Sequence, residues 1–128
     1  MKSLFTLLSV ASVSALKKTV LVTPDAPGAI GPYSQGIMVT NAIGEGTIYP
    51  AGQIGINPKT GELVDGGIEA QTKQLMENIK AILAAAQAEM SDIVECNCLL
   101  ADLDEYDAFN KVYGSYFDEA EAPARAAF

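Results

Sequence analysis

The chain contains one arginine, Arg125, in Pro123-Ala124-Arg125-Ala126-Ala127. Its planar guanidinium is the side chain best shaped to hold a carboxylate by two parallel hydrogen bonds, so its presence suggests a pocket for a small carboxylate-bearing molecule. A single arginine in an acidic chain is more often an exposed ion-pair partner, and what the fold places beside it decides between the two. There is no histidine, so the usual neutral-pH acid/base group and the commonest metal ligand are both missing. Chemistry therefore rests on carboxylates, Tyr, Cys, Lys or the backbone. The two cysteines, Cys96 and Cys98, stand two apart in Glu95-Cys96-Asn97-Cys98. Strand alternation puts both on one face, where they cannot readily bridge each other. A C-x-C pair without histidine or a second cysteine pair is a poor metal signature, so core packing is expected, with neither metal nor cofactor.

The elements that must position these residues follow from the hydrophobic pattern. Thr19 to Thr23 is a β-branched run stopped by Pro24, and Ala26 to Pro32 is loop because two prolines and two glycines fall within seven residues. An extended stretch from Tyr33 to Val39, a turn at Asn41 to Gly46 and a partner at Thr47 to Ile54 make a hairpin; Pro50 confines that partner to a sheet edge or bulge. Asn57-Pro58-Lys59-Thr60-Gly61 is a turn, and Gly66-Gly67 opens an amphipathic helix in which Ile68, Thr72, Leu75, Ile79, Ile82, Leu83 and Ala86 share a face. A strand over Ile93 to Leu100 follows. Asp102 as N-cap with Glu105 at N3 predicts a capping box for a second helix ending within Asp118 to Glu121. Its stripe of Tyr106, Phe109, Val112, Tyr113, Tyr116 and Phe117 predicts core packing against a sheet. A last strand begins at Pro123. The fold class is α+β, a mixed β-sheet with two helices on one face, whose other apolar face a symmetric oligomer would bury.

With 128 residues, 49% hydrophobic and 19% charged, there is material for one domain, residues 19–128. A net charge of −8 repels a nucleic-acid backbone or an anionic membrane, so neither is an expected partner. Met1-Lys2, the uncharged Ser3 to Ala15 and the small residues Val13-Ser14-Ala15 form a signal-peptide pattern, so residues 1–15 are expected to be a removable secretory or organellar targeting segment; the alternative is an unusual first strand. The apolar stretch is shorter than the ~20 residues that span a bilayer.

Three segments occur together in order: Ala29-Ile30-Gly31-Pro32-Tyr33-Ser34-Gln35-Gly36; Ala51-Gly52-Gln53-Ile54-Gly55 with Asn57-Pro58-Lys59-Thr60-Gly61; and Pro123-Ala124-Arg125-Ala126-Ala127. From Thr19 to Phe128 the chain resembles the RidA (YjgF) family of imine deaminases. The resemblance implies a chorismate-mutase-like homotrimer with ligand sites between subunits, working without a metal or organic cofactor. It also implies hydrolysis of 2-imino and enamino acids, such as 2-iminobutanoate and 2-iminopropanoate, to 2-oxo acids and ammonia. Arg125 matches the family's carboxylate-binding arginine and Tyr33 its site tyrosine, while Gly52 and the Ala127 backbone N–H fall where main-chain groups line the pocket. Asn110 matches a frequent family asparagine, although helix-surface hydrogen bonding explains it equally well, and Gly52 could instead permit a bulge beside Pro50.

Two departures stand out. Ala51 occupies a position where many members carry a serine. The family also continues beyond Arg125 into a last strand bearing a glutamate assigned to the catalytic water, so the domain is expected to be incomplete at its C-terminus. Three functions follow for comparison: imine deaminase; a non-catalytic trimeric carboxylate-binding or chaperone-like module; and an endoribonuclease or translation inhibitor, which the charge opposes. The targeting pattern and the family's metabolic role, which fits cytosol or mitochondrion, point to different compartments.

Overall fold

The computed structural model describes residues 16–128, so the expected targeting segment at 1–15 lies outside the described residues. Strands β1 (Lys17–Leu21), β2 (Gly36–Thr40) and β3 (Gly46–Pro50) form an antiparallel sheet in that order. Helix α1 (Gly67–Ala85), strand β4 (Glu95–Cys98), helix α2 (Tyr106–Gly114) and strand β5 (Ala124–Ala127) follow, with β4 and β5 paired in parallel. The expected α+β class with two helices is present. The described strands form two sheets, however, because β3 and β4 do not pair and a groove of about 670 Å3 lies between them.

The hairpin between β2 and β3 turns on Asn41, whose Oδ1 accepts from the Ile43 and Glu45 N–H groups, an Asx turn that Gly44 completes at φ 90°. β3 ends at Pro50, which has no N–H with which to continue the ladder. The first strand lies two residues earlier than the β-branched run suggests. Buried Gln35 provides the reason: its Oε1 accepts from the Thr23 N–H at 2.8 Å and its Nε2 donates to the Thr23 carbonyl at 2.9 Å. Thr23 is thereby removed from the ladder, and the stretch from Tyr33 to Gln35 becomes part of this loop rather than of β2.

Helix α1 starts where Gly66 and Gly67 both take positive φ, which glycine adopts without the cost a Cβ imposes. It ends at Ala85 in a Schellman turn in which Gln87 takes φ 60°, with the Ala88 N–H donating to the Leu83 carbonyl and the Gln87 N–H to the Ala84 carbonyl. The second helical segment differs from expectation at both ends. Asp102 caps a 3-10 turn, Leu103–Glu105, through the Asp104 N–H rather than through Glu105. The α-helix then stops at Gly114, where the Ser115 hydroxyl donates to the Val112 carbonyl at 2.6 Å and competes with the helical ladder.

Two apolar clusters hold the layers together. Leu21, Ala26 and Ile82 bury α1 on the antiparallel sheet, while Met76, Phe109 and Tyr113 join α1 to α2 over Cys96, Cys98 and Leu100. The aromatic stripe and both free cysteines are thus core-facing as expected, with Cys96 and Cys98 half-buried on one face of β4.

Candidate functional site

Arg125 lies in β5 opposite Cys96 of β4, and strand alternation turns its side chain toward α2 while Ala124 and Ala126 face solvent. Three residues of α2, four and three positions apart and so on one helix face, receive it. The Asn110 Oδ1 accepts from Nη1 at 2.7 Å and the Tyr106 phenol oxygen accepts from Nη2. The Tyr113 ring lies 4.7 Å from the guanidinium carbon, a cation–π contact. All these partners are neutral. The one salt bridge among the described residues joins Lys111 to Glu69 at the surface, so within a chain of net charge −8 the Arg125 charge has no carboxylate partner there.

Buried groups beneath the guanidinium keep their protons. Burial pushes the Cys98 thiol up from its ordinary pKa, Cys96 adds to the shift and Arg125 opposes it. The Tyr113 hydroxyl, buried without a hydrogen bond of normal geometry, is pushed up by burial first and then by the Cys96 thiol, again against Arg125. Neither group is a ready anion at neutral pH, so the guanidinium faces a neutral floor.

The backbone of β5 contributes as well. Ala124 and Phe128 donate their N–H groups to Val94 and Cys98, so alternation directs the Ala127 N–H to the open edge of the strand. Gly52 lies just beyond β3, and no atom approaches the position its Cβ would occupy within 4 Å, so neither crowding nor a positive φ within the described chain requires glycine there. It lines the groove between β3 and β4 with Ile48, Leu83, Val94 and Cys96. The segment after it is fixed on α1. Asn78 donates to the Ile54 and Ile56 carbonyls at 3.1 and 2.9 Å, and a Cβ on Gly55 would lie 2.6 Å from the Gln71 Cα, so only glycine permits this approach.

Tyr33 is half exposed. Its hydroxyl accepts from the Ile30 N–H at 3.3 Å within its own loop, and that loop is tied down by Gln35 through the Ala26 and Pro27 carbonyls. No hydrogen bond or cation–π contact among the described residues joins Tyr33 to Arg125. The fold therefore brings Arg125 and Asn110 together, keeps Ala127 two residues along the same strand, sets Gly52 along the groove between β3 and β4 and leaves Tyr33 in a separate loop. Tyr106 was legible only as part of a core stripe. Its place one helical turn before Asn110 was the available signal that it shares the polar face.

The family model described as Endoribonuclease L-PSP matches residues 23–128. The human 2-iminobutanoate/2-iminopropanoate deaminase is 42% identical over 116 residues, 91% of this chain and 80% of that protein. The crystal structure of RidA from an Antarctic Psychrobacter superposes with a TM-score of 0.78 at 41% identity, covering 86% of this chain and 84% of that one. That of TdcF from E. coli with bound serine gives a TM-score of 0.72 at 35% identity, covering 86% and 84%.

Proposed function

The chain belongs to the endoribonuclease L-PSP (RidA/YjgF) family, and we propose that it is an imine deaminase that hydrolyses 2-imino and enamino acids to 2-oxo acids and ammonia. The observation that carries this reading is Arg125: a guanidinium held in place by neutral acceptors and an aromatic face, with no carboxylate partner among the described residues. Such a cation is poised for an external carboxylate. The human relative's name supports the substrate class, and the serine bound to TdcF, itself an amino acid, supports a ligand of this kind.

In this reading Arg125 holds the substrate carboxylate and fixes the adjacent C2. A protonated imine is already electrophilic there, so water adds to C2, a proton moves to nitrogen, and ammonia leaves as the carbonyl forms. Tyr33 orients the substrate, with the Gly52 backbone and the Ala127 N–H lining its path. No hydrogen bond or cation–π contact among the described residues joins Tyr33 to Arg125, and in this reading both belong to a site shared between copies of the protein in a homotrimer, as the resemblance implies. The row Val20, Ile37 and Tyr49, in register across β1, β2 and β3, with Val20 and Tyr49 exposed and Ile37 half-buried between them, supplies an apolar face for that assembly.

The test couples the protein to an amino-acid oxidase or a threonine dehydratase and follows loss of the imine, with the chain ending at Phe128 and with it extended past that residue. Acceleration that Arg125→Ala abolishes is the expected result; an extended chain that leaves imine decay unchanged rejects the reading. Ala51, in place of a polar serine, favours a second reading in which 2-oxo acids bind without turnover. Binding that depends on Arg125 in an extended chain with no deaminase activity would select it. RNA cleavage, which the family's name carries, is opposed by the net charge of −8 and the absence of histidine.

A further inference from the structure

We propose that Tyr106 is a second anion-binding group of the Arg125 site, its hydroxyl donating to the same ligand carboxylate that the guanidinium holds. The inference rests on the reading of Arg125 as a carboxylate anchor and adds a residue to it. A guanidinium has five N–H donors. Two of them are directed to Asn110 and Tyr106, and the other three have no acceptor among the described residues. The phenol oxygen of Tyr106 serves as acceptor toward Nη2, so its own proton must point elsewhere. That O–H has no acceptor among the described residues. The residue is neither fully buried nor fully exposed, and its ring leans on Phe109 at 6.4 Å between centroids, which fixes where the hydroxyl sits.

A donor held beside an unpaired cation lies where the local potential is most favourable to an anion. An oxygen that accepts from Arg125 and donates to a carboxylate also couples the two groups, since polarisation by the guanidinium strengthens the O–H as a donor. Asn110 uses its carbonyl on Nη1, so the two α2 residues orient the fork and Tyr106 adds a direct contact to the bound ligand. Phenylalanine at this position would keep the ring and lose only the hydroxyl.

The experiment measures binding of 2-oxobutanoate and of its uncharged amide by calorimetry to the full chain, to Tyr106→Phe and to Arg125→Ala, with thermal melts of each. Tyr106→Phe should weaken 2-oxobutanoate about tenfold, as expected for a lost hydrogen bond to a charged group, while the weak binding of the amide stays the same and the melting temperature holds. In imine-hydrolysis assays the same variant should raise KM with kcat little changed, because the contact is present before and during reaction. Wild-type affinity in Tyr106→Phe, with loss in Arg125→Ala, would overturn this inference alone. Equal weakening of acid and amide would assign Tyr106 a purely structural role and overturn it too. A wild-type protein that does not bind 2-oxobutanoate would overturn both this inference and the carboxylate reading on which it rests.

Discussion

The buried amides around the antiparallel sheet and the arginine on the parallel pair use polar chemistry in opposite ways. Gln35 accepts from the Thr23 N–H and donates to carbonyls of Thr23, Ala26 and Pro27. Asn78 accepts from Gln74 and donates to Ile54 and Ile56. Both are satisfied from within, as groups removed from water must be. Across α1, Arg125 is oriented by its neighbours but, among the described residues, neither it nor the Tyr106 proton beside it meets a carboxylate or other anionic partner. One region uses its hydrogen bonds to fix loops, and the other keeps a charge available to a ligand. Stability and binding should therefore respond to different substitutions.

The largest separation is expected at Arg125. Its replacement by alanine removes a half-buried charge whose local partners are neutral, so calorimetry should show 2-oxo acid affinity falling at least ~100-fold, the scale of two charge-assisted hydrogen bonds. The melting temperature should change by only a few degrees. A large loss of stability with little loss of affinity would erase the contrast between the regions.

The reverse is expected at the amides. Gln35→Leu leaves a part-buried N–H and three carbonyls without partners, and Asn78→Leu leaves two carbonyls, each substitution costing about 3 kcal/mol. For a domain of this size that lowers Tm by roughly 10 °C. Below the transition, affinity at Arg125 should stay close to wild type. If Gln35→Leu proves neutral in denaturant titrations, the loop bearing Tyr33 is not held in the way its hydrogen bonds indicate.

How much of this was legible in the sequence divides along the same line. The amphipathic period of α1, the Asn41 and Asn57 turns and the core-facing cysteines could be read because local spacing or side-chain chemistry determines them. The early end of β1 could not, because Gln35 withdraws Thr23 from the ladder across a sequence separation of twelve. The end of α2 at Gly114 depends on a serine hydroxyl competing with the backbone. Arg125 was visible as a residue type, whereas its neutral surroundings were not, since the pairing of β5 with β4 and the packing of α2 above them are long-range choices. Tyr106 was hidden for a related reason: a tyrosine in an aromatic stripe looks like core until the fold shows what its hydroxyl meets.

Where the two helices meet, Tyr116 donates to the Glu77 carboxylate at 2.8 Å. Burial first, then this hydrogen bond and the Glu77 charge, push its pKa up to about 12. The folded chain thus holds the phenol proton more tightly than the unfolded one, whose ordinary value is about 10. The resulting stability is complete below pH ~10 and is lost as pH rises toward 12. Tyr116→Phe should flatten that alkaline limb in denaturant titrations at a series of pH values. An unchanged limb would place the alkaline sensitivity elsewhere, with buried Tyr113 the next candidate.

The smallest expected effect checks whether the Arg125 site and its floor are separable. Cys98 is held protonated by burial and by Cys96, with Arg125 acting in the opposite direction. Removing the arginine while β4 stays packed should raise the thiol's pKa further and slow its alkylation at pH 8 by about twofold, since the thiolate is the reacting species. A site loosened by the substitution would expose the thiol and accelerate the same reaction. Mass spectrometry of alkylated Cys98 in Arg125→Ala therefore gives opposite signs for the two cases. Slower labelling together with lost carboxylate binding would mean that the charge can be removed from the binding region without disturbing the framework beneath it.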